Sequence, residues 1–351
     1  MIRKSTMAKV FATVMSLTLL LTGCGGGNTA KNDGGDAAGG EHKEIKLRIA
    51  HMSPEEESIH QGFVKFKEII EAENVGVTVE IYPAGQLVGS DRDSIEGVQL
   101  GEIDMASVAA IQLAPHVEKF YVFNANYLFD SMDDARAKLE GPAGDALRQA
   151  TIDKNSGMRV AAFFGGANRA FWNNVKPIEK VADFKGIKVR TPENPLNVKE
   201  LETLGCIPTP MAWSEMYTGL QQGTIDGLAS SRPPILQQGI VEVLKYATDT
   251  NHSYYMPVSL ISEATYKKFD EAQLAAYEKA IKACADTQWE LTVKDNEKAI
   301  AEMEELEKEG KLTYTRLTDE QREEFKTIYV DSIEAMVAEK CGQEILDVFR
   351  K

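Results

Sequence analysis

Between Pro257 and Lys351 the chain carries no proline, and within that stretch Asp270 is followed three residues on by Gln273, the pattern of a capping box, with Gly310 as the next stop signal. The spacing predicts one helix over 270–309. At a rise of 1.5 Å per residue it would extend roughly 55–60 Å, more than a single compact domain requires. A length of 351 residues also exceeds one core and suggests two lobes of ordinary domain size. The fold must therefore let one helix lie along two lobes as a shared spine, and two lobes imply a cleft.

Upstream of that helix, strand and helix patterns alternate. Segments 45–50, 77–81, 103–107 and 158–164 read as strands, and 58–72, 91–100, 133–139 and 145–154 as helices. Gly165-Gly166 ends the strand segment 158–164, and there the chain is expected to cross lobes. The rhythm resumes with strands 187–190, 207–210 and 225–228 and helices 195–204 and 214–222, and 254–262 is expected to return to the first lobe. Alternation of this kind predicts an α/β protein with parallel sheets.

The N-terminus departs from this pattern. Arg3, Lys4 and Lys9 precede the apolar run 10–21, which is too short to span a bilayer and closes on Leu21-Thr22-Gly23-Cys24. The small residues before Cys24 resemble the lipobox of bacterial lipoproteins, which implies cleavage after residue 23 and a lipid anchor on Cys24. Residues 25–40 contain no large apolar side chain and read as a flexible tether. The expected organisation is a signal peptide over 1–23, a tether over 24–43, one lobe over 44–166 completed by about 256–296, and a second over 167–255 completed by about 297–351.

The net charge is −15, and the cleaved segment carries only positive charges, which argues against nucleic acid as a partner. Cys206, Cys284 and Cys341 show no metal-ligand or disulfide spacing and read as buried apolar residues. No GxSxG, HExxH or histidine cluster is present among the five histidines, so an exported hydrolase is disfavoured, and no catalytic residue, metal or cofactor is proposed.

The stretch 184–226 has the layout of a small-anion pocket: Arg190 at a strand end, a Pro-Glu-Asn-Pro corner, Trp213 and a Thr-Ile-Asp-Gly turn. Guanidinium offers two parallel N–H donors at carboxylate spacing and stays charged, so Arg190 is the first candidate for holding an anion.

Four segments, Pro83-Ala-Gly-Gln-Leu with Asp91-Arg92, Leu100-Gly-Glu-Ile-Asp104-Met-Ala, Asp183-Phe-Lys-Gly-Ile-Lys-Val-Arg190, and Ser214-Glu-Met-Tyr-Thr-Gly-Leu-Gln-Gln-Gly-Thr-Ile-Asp226-Gly, resemble the substrate-binding receptors of TRAP transporters, the dicarboxylate-receptor-like (DctP-type) family. The resemblance covers nearly all of the mature chain. It implies a two-lobe periplasmic-binding-protein-like fold of class II type, closing on a small organic acid that is passed to the small and large membrane subunits of a permease for ion-driven uptake. It places the carboxylate clamp at Arg190, a supporting arginine at Arg169, and a covering aromatic at Trp213. A structural ion pair for Arg169 and core packing for Trp213 remain open.

Glu193 and Ser230 stand where some family members place asparagines that bond the ligand. A glutamate there would accept hydrogen bonds from hydroxyls or an ammonium and repel a second carboxylate, which favours a hydroxylated or sugar-derived monocarboxylate. On the first lobe His51, Met52, Asp91 and Ser107 sit at strand or helix ends, the mouth where α/β proteins bind ligands, although His51 also fits an ordinary loop histidine. A lipid-anchored receptor for an ATP-driven importer shares this architecture; Arg190 with the Thr-Ile-Asp-Gly segment favours the TRAP type. The expected product is a monomeric receptor held at the cell envelope through Cys24, facing a periplasm or the cell exterior.

Overall fold

The computed structural model describes residues 42–351, which pack as one compact unit. The signal peptide, Cys24 and nearly all of the tether expected from the sequence lie outside the described residues.

Four strands come first: β1 (Ile45–Ala50), β2 (Val77–Tyr82), β3 (Met105–Ala109) and β4 (Met158–Phe163). Then follow β5 (Ala167–Asn173), β6 (Lys188–Thr191), β7 (Ile207–Pro210), β8 (Gly227–Ser231), β9 (Tyr246–Thr248) and β10 (Tyr254–Tyr255), before β11 (Pro257–Ser262) and finally β12 (Thr313–Thr315). They form two sheets, ordered β2-β1-β3-β11-β4 and β12-β9-β5-β8-β6-β7, with β10 beside β5. The chain is thus a two-lobe α/β protein with a sheet in each lobe.

Pairing is parallel where consecutive strands are joined through a helix, as in β1 with β2 and β3, and β6 with β7 and β8. It is antiparallel at the strands that carry the chain between sheets: β11 against β3 and β4, and β5 against β8 and β9. A strand arriving from the other sheet enters from the opposite end, so each sheet carries one reversed strand, β11 in the first and β5 in the second, among strands that otherwise run the same way, as the mostly parallel sheets expected from the sequence require.

Chain passage between the sheets is narrow. Phe164-Gly165-Gly166 leads from β4 to β5, and Met256 leads back from β10 to β11. The two passes are laced together, with Tyr255 opposite Ala167 and the Phe164 N–H donating to the Pro257 carbonyl at 3.0 Å.

Helix Glu271–Lys308 spans 38 residues, about 57 Å at helical rise. Its capping box is reciprocal: Gln273 N–H donates to Asp270 Oδ1 at 2.9 Å and Asp270 N–H to Gln273 Oε1 at 3.2 Å. Toward its start Tyr277, Ala280 and Cys284 pack with Phe63, Phe66 and Ile70 of helix Ser58–Ala72, spaced to fall on one face. Further along, Ala299 and Met303 join Trp172, Leu228 and Ala247 of the second sheet. One helix therefore contributes to the cores of both sheets, as its length requires.

The two Ile-Asp turns repeat one device. Asp104 Oδ2 accepts from Arg48 N–H at 2.9 Å while its own N–H donates to the Arg48 carbonyl at 3.1 Å. Asp226 does the same with Lys188, at 3.0 and 2.7 Å. Each aspartate ties the start of one strand to its neighbour, which delays β3 to Met105 and β8 to Gly227, later than the expected 103 and 225. The Thr-Ile-Asp-Gly turn is thus a strand-locking motif, and it does not line the cleft. The three cysteines of the body are buried and unpaired.

Candidate ligand-binding cleft

The ends of β3, β6 and β8, the Gly165-Gly166 crossing and one face of the long helix converge on a cavity of about 120 Å³. With roughly 10–15 Å³ per water-sized occupant, that space suits a molecule of on the order of ten non-hydrogen atoms. Arg190, Arg169, Trp213, Ser230, Asp91 and Met52, all expected from the sequence, line it.

β6 delivers Arg190 to the cavity with only 9% of its surface exposed. Its Nε–H donates to the Met211 carbonyl at 3.1 Å and its guanidinium lies 5.6 Å from the Trp213 ring centre. The stem is thereby oriented while the terminal N–H groups stay available for an anion. β5 delivers Arg169, whose Nη1 donates to the Ala229 carbonyl at 3.3 Å and whose guanidinium lies 5.8 Å from the Tyr255 ring. Burial, then Arg169, lowers the Arg190 pKa to about 10, so it remains a cation at neutral pH. Two like charges are held together in a poorly hydrated site, and an anion would relieve both.

Asp91 begins helix Asp91–Leu100 and accepts from the Ala109 N–H at 3.2 Å. Burial raises its pKa to about 6 against the opposing pull of Ala109 and Arg190. Ionised, it offsets Arg190 and repels an incoming anion; protonated, it does neither. We expect organic-anion affinity, followed by calorimetry, to rise several-fold from pH 7.5 to pH 5.5, and Asp91→Asn to bind more tightly at pH 7.5 and flatten that rise. In the free protein the sign follows from the same lift: the folded state binds this proton more readily than the unfolded one, so the Asp91 contribution to stability falls as pH rises from about 4 to 6.

Three expected residues do not line the cavity. Glu193 is exposed and pairs with Arg92 at 3.7 Å, because the Asn194 side chain instead turns inward to the Ile111 carbonyl and Leu196 N–H. His51 is fully buried, stacked on Phe63 at 5.6 Å and 3.3 Å from His60; burial lowers its pKa to about 3, so it is a neutral core histidine. Ser107 is also buried, opposite Ser259 and two residues further into the sheet than Ala109, which does reach the cavity.

Other lining residues had no sequence-based expectation. Gln288, Thr292 and Asp295 sit at i, i+4 and i+7 on the long helix and face the cavity. Gln288 accepts from Gly165 N–H at 2.6 Å and donates to its carbonyl at 2.9 Å, fixing the crossing to the helix. From the first lobe Glu57 accepts from Gln238 Nε2 at 2.8 Å, and Gln238 Oε1 accepts from the Trp213 indole at 2.8 Å. A smaller cavity of about 40 Å³ shares Arg169 and Arg190 and is lined by Glu200, whose pKa burial raises to about 7 despite bonds from Asn126 and Asn197. Among the described residues, no group of three or more His, Cys, Asp or Glu side chains is arranged to hold a metal ion.

Residues 49–340 match the family model for bacterial extracellular solute-binding protein, family 7. The C4-dicarboxylate-binding periplasmic protein DctP of Rhodobacter capsulatus is 28% identical over 304 residues, 86% of this chain and 89% of that protein. The 2,3-diketo-L-gulonate-binding periplasmic protein YiaO of Escherichia coli is 27% identical over 260 residues, covering 74% and 78%. A TRAP periplasmic solute-binding protein from Polaromonas, solved with D-erythronate bound, is 27% identical and superposes with a TM-score of 0.80 over 88% of this chain and 98% of that one.

Proposed function

Because the chain belongs to family 7 of the bacterial extracellular solute-binding proteins, we propose that it is the receptor of a TRAP transporter and binds a small organic acid. The observation that carries this reading is the pair Arg190 and Arg169, two buried or half-buried guanidiniums at one wall of a cavity of small-molecule size. The ligand carboxylate pairs with the Arg190 fork, Arg169 adds a second charge, and Trp213 excludes water from the contact. Closure of the lobes is favoured because only the closed form completes contacts from both sheets. The acids named for the relatives, a C4-dicarboxylate, a diketogulonate and an erythronate, support the ligand class.

The same reading assigns 44–166 with about 256–296 to one lobe and 167–255 with about 297–332 to the other, hinged at the Gly165-Gly166 and Met256 passes; the end of the chain, expected in the second lobe, belongs instead with the first, because Ile333, Val337, Ile345 and Phe349 pack with Phe120, Phe123 and Leu147. It makes the protein a monomeric non-enzymatic receptor, anchored by lipid on Cys24 at the outer side of a membrane. No helix of the described residues is long and apolar enough to cross a membrane. A thermal-shift screen of aldonates, uronates, C4 dicarboxylates and neutral sugars tests it. An organic acid at a hundred times its Kd adds about 2.7 kcal/mol to stability, a rise of several degrees in Tm. Shifts confined to neutral sugars would overturn the carboxylate clamp.

A further inference from the structure

The cavity has two electrostatic poles. Arg190 and Arg169 form one, and Arg190 feels both the charge of Arg169 and that of Asp91. Glu57 and Asp295 form the other, across the lobe boundary drawn above: Glu57 precedes helix Ser58–Ala72, Asp295 comes from the long helix, and both line the cavity. Glu57 is 9% exposed and is raised in pKa by burial, opposed by Gln238 and Ser53, with Asp295 adding to the rise. Asp295 is raised by burial and accepts from the Ser58 N–H at 3.3 Å. Tyr255 lines the same cavity, and burial raises its pKa with Asp91 and Glu57 adding to the rise and Arg169 opposing it.

Glu57 is held in this position. One carboxylate oxygen takes the Gln238 amide, and Gln238 is itself set by the Trp213 indole, so the ring that lies against Arg190 also fixes the acidic wall. Carboxyl oxygens accept hydrogen bonds and, when ionised, cannot donate them. A ligand anchored by its carboxylate at the arginines would meet acceptors at its far end.

We propose that Glu57, with Asp295, is the specificity determinant of this receptor: it admits small acids whose far end carries hydrogen-bond donors, hydroxyl or ammonium, and rejects those that end in a second carboxylate. The inference rests on the organic-acid reading and narrows it. It also moves the basis for a hydroxylated ligand from Glu193, which is on the rim with Arg92, to Glu57 inside the cleft.

The test uses three four-carbon probes against the full-length receptor at pH 7.5 by calorimetry: erythronate, 4-aminobutanoate and succinate. The expected result is that erythronate or 4-aminobutanoate binds at least tenfold more tightly than succinate. Whichever donor-bearing probe wins identifies the kind of donor. Glu57→Gln keeps the size and the contact with Gln238 but removes the charge, and should narrow the preference over succinate at least fivefold. Asp295→Asn should narrow it further, while unliganded melting temperatures report whether either variant is folded. Succinate binding as tightly as both other probes, or a preference unchanged in both folded variants, overturns this proposal while the organic-acid reading stands. Failure of every organic acid, with native melting, overturns both.

Discussion

Arg190→Ala should lower organic-acid affinity by roughly thirtyfold to several thousandfold, the equivalent of about 2–5 kcal/mol for removing one partner of a buried charge pair. The carboxylate would be taken out of water and meet one guanidinium in place of two. The unliganded protein should lose little. In that state Arg190 is already disfavoured by burial and by Arg169, and its Nε–H donates to the Met211 carbonyl of the surrounding backbone. Affinity should therefore collapse while the unliganded Tm stays close to that of the parent, a combination that separates a binding role from a structural one. Arg190→Lys keeps the charge but not the two parallel donors or the flat contact with Trp213, and should fall between the two. Calorimetry that finds unchanged affinity in Arg190→Ala would remove Arg190 from the clamp.

The parts of this fold that were legible in the sequence are those governed by local rules. The long helix announces itself through Asp270, Gln273, Gly310 and the missing prolines, and its ends fall where those residues put them. Helices Ser58–Ala72 and Asp91–Leu100 likewise begin and end at the expected residues. β5 was not legible as a strand: Ala167–Asn173 carries Asn168, Arg169 and Trp172, and its strand character comes from neighbours far away in sequence, β8, β9 and β10. β9 and β12, three residues each, are short for a periodic signal.

In the cleft the same division holds. Arg190, Arg169 and Trp213 belong to segments with recognisable patterns. Glu57 is the third of three consecutive glutamates, and such a run reads as a solvated face. Glu55 and Glu56 are indeed exposed; only the packing of the helix start against the long helix turns the third one inward. Gln288, Thr292 and Asp295 do share a helix face, but polar residues on a long helix are ordinarily assigned to water. Glu193 misled for the converse reason, since in the Pro-Glu-Asn-Pro corner the buried member is Asn194.

Gly166→Ala is expected to be the most damaging single substitution in the body. A Cβ at that position would stand 1.4 Å from the Tyr255 carbonyl oxygen, which is backbone and cannot swing aside. Room must come from separating the two passes between the sheets, where Tyr255 pairs with Ala167 and Phe164 bonds Pro257. The neighbouring Gly165 offers no slack, being bonded through both backbone groups to Gln288 and close against Trp289. A loss of about 3 kcal/mol or more, hence a Tm about 5 °C lower, is expected. Ligand affinity should fall as well, because Arg169 lies three residues on in the displaced strand and Tyr255 borders the cavity. Gly89→Ala is the matched control: the nearest atom to its Cβ is the Asp93 carboxylate at 3.8 Å, so stability should change by less than about 1 kcal/mol. Equal melting temperatures for the two variants would mean that the crossing is slack, and a hinge confined to Gly165-Gly166 and Met256 would no longer account for lobe closure.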